Sequence, residues 1–295
     1  MPSFIRAAEW WQPSSDGSML DFGSGLFAQA TQFGAVTRGM CFGRGEGLPG
    51  RAWDEARPIL LPQLGSSVFR RSTAAQAAGL AAAVAIPFFP AERFAGVLVL
   101  FLGDGSAHAG ALELWHNDPR ITGDLRLVEG FYGRDGQAFE ALSRDSFLLR
   151  GSGLPGLAWQ RRAAVFIDEL ATSPRFLRAA DAAQAGISRG LALPCFAPGA
   201  GTYVLSLLSA LATPIAQGIE SWRPDASAGA LERIFGHDES RGLLPGARLA
   251  FGGEHAILAA FDAGVPVLST VAAQATVAMP VIDEGVVTEV VVLSF

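Results

Sequence analysis

Two strings in this chain carry the glycine spacing of a dinucleotide site: Gly45-Glu46-Gly47-Leu48-Pro49-Gly50 and Gly151-Ser152-Gly153-Leu154-Pro155-Gly156. A Rossmann site needs a full helix after its glycines and a ribose-binding acid about twenty residues on. Here the helical stretch is short and the next segment is extended, so the glycines are read as positive-φ residues of a tight turn under a short helix. Gly186-Ile187-Ser188-Arg189-Gly190 fits the serine-hydrolase pattern. Its order is helix then strand, the reverse of a nucleophile elbow, and no His–Asp partner stands out. His108, His116, His237 and His255 are isolated, none at i, i+4 from another, which argues against zinc. Cys41 and Cys195, the only cysteines, sit at non-equivalent positions. Neither a disulfide framework nor a cysteine metal knuckle is supported, the plain reading is two buried thiols, and a reducing cytoplasm fits.

All 22 basic residues are arginine; the chain has no lysine. A phosphate-loop NTPase, a kinase with a lysine–glutamate pair and a pyridoxal Schiff-base enzyme each need the missing amine. The net charge of −6 is spread along the chain and offers no basic patch, so neither nucleic acid nor an anionic membrane is expected as a partner. Half the residues are apolar and 17% are charged, enough to bury a large core. The N-terminus MPSFIRAAEWW lacks the layout of a signal peptide. The long uncharged run Gly199 to Ile219 carries Pro214 and Gln217, and its first half repeats the strand pattern of Gly96 to Leu102, so no span is expected there.

The elements that must position these residues come in repeats. FGRGEGLPGRAWDEARPILL at 42–61 returns as RGSGLPGLAWQRRAAVFI at 150–167, with Pro49 and Pro155, and Trp53 and Trp159, both 106 residues apart. A more diverged copy, FGGEHAILAAFDAGVPVLS, occupies 251–269, where Phe261 stands for the tryptophan. Each repeat opens with the same signal, Glu9-x-Trp11, Glu113-x-Trp115 and Glu220-x-Trp222. Alternation through Ala111, Glu113 and Trp115 against Leu112 and Leu114 predicts a half-buried strand, and the Pro/Ser/Asp/Gly clusters that follow predict a hairpin. A polar connection, the glycine loop, a short helix and an extended stretch come next. A second helical piece is predicted at Phe69 to Gly79 and Phe176 to Gly186, with only Ser269 to Gln274 left of it in the third copy. Two strands close each repeat, with Pro87, Pro194 and Pro280 inside the first of them. The expected fold is α+β, three units of about one hundred residues, each long enough for its own core and built as a central antiparallel sheet with short helices and loops on one face.

GEGLPGRAWDEARPILL, with its second copy, resembles the GAF family of small sensory domains, in the form typical of bacterial members. The resemblance covers nearly the whole chain, strongly in the first unit and weakly in the third, where His255, Ile257 and Leu258 replace Gly47, Pro49 and Gly50. It implies three tandem GAF-like units, 1–105, 106–212 and a reduced 213–295. It also implies a pocket between sheet and roofing helices that binds a small molecule and passes a signal on.

Trp53, Phe69, Arg71, Trp159, Phe176 and Arg178 lie on those roofing segments and are the expected ligand contacts, the arginines if they turn inward; aromatic walls with converging cations suit an apolar acid or aromatic metabolite. The resemblance also narrows the ligand. Cyclic-nucleotide-binding members use a set that includes lysine, bilin attachment needs a cysteine on a pocket helix, and haem-binding members need an axial histidine, whereas His116 reads as a strand residue and His255 as a loop residue. Free methionine sulfoxide reductases of this fold gather several cysteines in one pocket. One cysteine per unit does not.

Long flanking helices that transmit signals in the family are missing, since about eight residues separate Leu102 from Ala111. The expectation is therefore a cytoplasmic regulatory protein that binds a small molecule, needs no cofactor, metal or catalytic residue, and passes its output to a protein partner. An interaction scaffold without ligand, and a redox enzyme of the sulfoxide reductase type, are the alternatives.

Overall fold

A computed structural model describes residues 3–65, 69–103, 110–133, 136–196, 199 and 201–295. The expected boundary at 105/106 and His108 lie outside the described residues. Among these, three antiparallel sheets follow one another along the chain. The first is built from β1 (Ile5–Pro13), β2 (Met19–Leu26), β3 (Cys41–Gly43), β4 (Ile59–Leu61), β5 (Leu80–Phe88) and β6 (Gly96–Gly103), with helices α1 (Thr31–Arg38), α2 (Gly47–Glu55) and α3 (Ser72–Ala77). The second has β7 (Gly110–Asn117), β8 (Leu125–Tyr132), β9 (Phe147–Leu148), β10 (Val165–Ile167), β11 (Arg189–Phe196) and β12 (Thr202–Ser209), with α4 (Gln137–Asp145), α5 (Gly153–Arg161) and α6 (Ala179–Gln184). The third has β13 (Gly218–Asp225), β14 (Ala230–Asp238), β15 (Gly242–Leu243), β16 (Arg248–Ala250), β17 (Val267–Val271), β18 (Gln274–Asp283) and β19 (Val286–Ser294), with α7 (Ala256–Ala263).

The strand orders are equivalent: β3-β2-β1-β6-β5-β4, then β9-β8-β7-β12-β11-β10, then β15-β14-β13-β19-β18-β17 with β16 beside β14. In each opening hairpin the register slips at the same point, before Trp11, Trp115 and Trp222. A bulge there re-aims the side chain that follows.

The repeated glycine string has a steric cause. Gly47 and Gly153 take φ of +58° and +65° at the first position of α2 and α5, a conformation that suits glycine. A Cβ on Gly50 would meet the Gly43 carbonyl at 2.1 Å, and one on Gly156 would meet that of Leu149 at 2.4 Å. The glycines let a short helix lie against the preceding strand, as the turn reading expects.

Each sheet buries one face under its own helices. Trp11, Leu20, Phe33, Phe42, Leu48 and Phe101 do so in the first sheet. Trp115, Phe139, Leu154 and Val204 do so in the second, and Trp222, Leu231, Ile257 and Leu258 in the third. The opposite faces meet one another. Ile5, Leu98 and Leu100 of the first sheet share one continuous core with Leu112, Leu205 and Leu207 of the second and Ile219, Val291 and Leu293 of the third. Pro87, Pro194 and Pro280 line one cavity of about 30 Å³ where the three sheets converge.

This arrangement corrects several expectations. The opening strands are buried on both faces rather than half-buried, because Leu112 and Leu114 point into the shared core. Beside the core that each sheet forms with its own helices, a further core is held in common by all three. The polar connections after the first hairpins contain α1 and α4, whose Phe33 with Thr37 and Phe139 with Ser143 make one-turn buried stripes. Only Ser72–Ala77 and Ala179–Gln184 of the second helical pieces are α-helix. Ser269 to Gln274 is no helical remnant, since it turns β17 into β18, an extended hairpin suited to Val267, Thr270 and Val271. The uncharged run ends in β12 and β13, and no helix among the described residues is long and apolar enough to cross a membrane.

Candidate functional site

Glu9 stands on β1 with its side chain under the helices of the first sheet, fully buried. A carboxylate cannot stay ionised in such a place without a cation and hydrogen bonds. Arg71, at the N-cap of α3, supplies the cation: its two terminal nitrogens lie 2.5 Å from Oε1 and 3.0 Å from Oε2. Trp11 Nε1 donates to Oε2 at 3.0 Å, and the Thr37 hydroxyl on α1 lies 3.0 Å from Oε1. Arg71 also donates to that hydroxyl. Around the guanidinium stand the rings of Phe33 at 4.6 Å, Phe69 at 5.2 Å, Phe101 at 5.5 Å and Trp11 at 5.7 Å. This is an aromatic cage already filled by the chain's own cation.

The second sheet repeats the constellation. Arg178 lies 2.6 and 2.8 Å from the two oxygens of buried Glu113. Trp115 Nε1 donates at 2.9 Å, and the hydroxyls of Ser143 and Tyr132 approach at 2.9 and 3.0 Å. Phe139, Trp115 and Phe176 ring the guanidinium at 4.6, 5.2 and 5.4 Å. Burial pushes the Glu113 carboxyl up, but the Arg178 charge and hydrogen bonds from Arg178, Trp115 and Ser143 outweigh it and hold the group below its ordinary value. Burial, then the Glu113 charge, pushes the Tyr132 phenol up, so Tyr132 stays a neutral donor.

The third sheet departs from this plan. No helix occupies the stretch between β14 and α7, and β17, the counterpart of β4 and β10, turns directly into β18 with no roofing helix between them to carry an arginine. Glu220 pairs instead with Arg233 of β14 at 2.8 Å, with side-chain exposures of 19% and 13% against 0–5% in the other two pairs. Arg233 also donates Nε to the Pro245 carbonyl at 3.0 Å, and its guanidinium lies 5.4 Å from the Trp222 ring. Trp222 itself is buried, and its Nε1 has no hydrogen-bond partner among the described residues.

The expected contacts divide. Phe69 with Arg71, and Phe176 with Arg178, come together inside, each arginine already bound to a carboxylate. Trp53 lies apart, stacked on Phe94 at 5.3 Å and near Arg44. Trp159 packs likewise beside Arg150. Glu9, Thr37, Glu113, Ser143 and Tyr132 were not singled out as site residues. The signal for them is the repeated Glu-x-Trp: an acid two residues from a tryptophan on one strand face is a buried acid in search of a cation.

Cys41 is exposed on β3, whereas Cys195 sits on β11, where burial pushes its thiol up to about 12. The two lie on different sheets. His116 stacks on Tyr203, and His255 caps α7 by accepting from Ile257 N. His237 is buried beside Phe166. Among the described residues no group of three or more His, Cys, Asp or Glu side chains is placed to hold a metal.

No protein-family model and no curated protein matches the chain. Several solved structures are similar to part of it. The free methionine-R-sulfoxide reductase of Neisseria meningitidis is 17% identical over 34% of this chain and 51% of its own, with a TM-score of 0.26. The GAF domain of A. aeolicus nlh2 is 18% identical over 34% and 58%, TM-score 0.28. The GAF domain of a phosphoenolpyruvate-protein phosphotransferase from Coxiella burnetii is 18% identical over 34% and 56%, TM-score 0.28. Each match spans about a third of this chain and little more than half of the solved one.

Proposed function

We propose that this chain is a non-catalytic regulatory scaffold of three tandem GAF-like units, working through its surface on a protein partner, with the first two ligand pockets occupied by its own arginines. The observation that carries the reading is the pair of buried ion pairs, Arg71 with Glu9 and Arg178 with Glu113. Each fills the space where the family resemblance puts a ligand. Binding a metabolite against Phe69 and Arg71 would require breaking a buried pair, which costs several kcal/mol, about 3–5. Phe147, Leu149 and Leu177 stand 54–64% exposed near the start of α5, apolar surface that suits a protein contact. The sulfoxide reductase alternative would need two thiols in one pocket, and Cys41 and Cys195 lie on separate sheets.

Native mass spectrometry of freshly purified protein tests this. The expected species is the bare polypeptide. A compound retained by the wild-type chain and lost from the paired variants Glu9→Leu with Arg71→Met, and Glu113→Leu with Arg178→Met, would overturn the sealed-pocket reading.

A further inference from the structure

The three Glu-x-Trp sites differ in one atom's bonding. Trp11 Nε1 and Trp115 Nε1 each donate to a carboxylate, at 3.0 and 2.9 Å. Trp222 Nε1, on the equivalent strand after the equivalent bulge, is buried without an acceptor among the described residues. A buried orphan N–H costs about 1–3 kcal/mol, so a fold that keeps one has a use for it or supplies its partner from outside. The carboxylate that would serve it, Glu220, is drawn to the rim by Arg233. Of the elements that close the first two sites from above, a helix carrying a hydroxyl and a helix preceded by an arginine at its N-cap, the third has neither.

We propose that the third site binds a small carboxylate. One of its oxygens accepts the Trp222 N–H, taking the role that Glu9 and Glu113 play in the other sites. The other oxygen takes the Arg233 nitrogen now given to Glu220. Arg233 is fixed for this, because its Nε and Nη2 both donate to the Pro245 carbonyl, which leaves Nη1 as the nitrogen to be exchanged, and its guanidinium lies near the indole. Leu231, Ile257, Leu258 and Phe261 around Trp222 offer apolar contact to the body of the ligand, so an aromatic or branched acid should bind more tightly than acetate. The first two sites already hold an internal carboxylate and should take none.

The test uses the full chain with 15N-labelled tryptophan, whose six indole N–H signals are few enough to follow one by one. Trp11→Phe, Trp115→Phe and Trp222→Phe assign the three that matter. Benzoate is the probe, with acetate as the smaller comparison. The expected result is a saturable shift of the Trp222 indole signal with benzoate, tighter than with acetate by tenfold or more. Arg233→Gln should weaken the shift at least tenfold while leaving the signal visible.

A Trp222 signal that does not move, or one showing exchange with a bound water and no response to benzoate, overturns the proposal. A shift unaffected by Arg233→Gln overturns it too. Movement of the Trp11 or Trp115 signals instead would count against the sealed pockets of the first two sheets, a separate failure.

Discussion

The first two sites and the third begin from the same two residues, a glutamate and a tryptophan, and end in different states. In the first two, a glutamate, a tryptophan, a helix hydroxyl and a helix arginine satisfy one another in the dry space under the roof. In the third, with both helices gone, the same glutamate turns sideways to a strand arginine and leaves its tryptophan without an acceptor. The acid itself is constant. What surrounds it decides whether the site is closed by the chain or open to something else.

The sharpest way to break this comparison is to remove the cations. Arg71→Ala or Arg178→Ala leaves a carboxylate buried without a partner and should cost about 3–5 kcal/mol of unfolding free energy. Arg233→Ala, whose glutamate can reach water, should cost less, about 1.5–3 kcal/mol, the worth of hydrogen bonds to a charged group. Urea unfolding read by circular dichroism separates the two, and equal losses would remove the distinction between closed and open sites.

A milder change asks whether charge or volume fills the pocket. Replacing a whole pair, Glu113→Leu with Arg178→Met, strands no charge but takes the acceptor from the Trp115 N–H, so it should cost about 1–3 kcal/mol, less than Arg178→Ala. Trp11→Phe and Trp115→Phe each leave a carboxylate one donor short and should lose about 1–3 kcal/mol. Trp222→Phe loses no bond and should be neutral or slightly stabilising in the same assay.

The smallest expected effect concerns pH. Burial raises the Glu289 carboxyl, which accepts from Ser221 and, at 2.8 Å, from the Ala164 amide across the seam between the second and third sheets. A carboxyl raised in the folded state holds its proton longer there than in the unfolded chain. Its contribution is therefore complete below the unfolded value and is lost as pH rises through the folded one. Glu289→Gln should be more stable than wild type at pH 8 by on the order of 1 kcal/mol and lose that advantage at pH 4. Glu113 runs the opposite way: its depressed value adds stability at neutral pH that disappears as pH falls through the carboxylate range.

The sequence carried the architecture further than the site. Repeat spacing, the Glu-x-Trp signals and the prolines of the closing strands fixed the order of elements, because backbone demands such as positive φ at Gly47 and Gly153 leave a residue-level mark. Phe69 with Arg71 and Phe176 with Arg178 stand out because they recur 107 residues apart, and each pair packs together under the roof, which is a different matter from the ligand contact expected of them. The ion pairs were not, since Glu9 and Arg71 stand 62 residues apart and nothing local ties them together. Trp53 and Trp159 repeat faithfully yet face Phe94, Arg44 and Arg150, which shows that a repeated aromatic can serve helix packing rather than a pocket. The helices α1 and α4 were hidden because each shows only a one-turn buried stripe within a polar stretch.

The inner faces of all three sheets lie in one common core, and this sets how the molecule comes apart. A sheet detached from its neighbours would carry into water a face made of residues such as Leu98 and Leu100, or Leu205 and Leu207, and would strip the cover from the two left behind. The free energy of each repeat is thus invested in its neighbours. Although it reads as beads on a string, each third should be less stable alone than within the chain, because its inner face would then meet water.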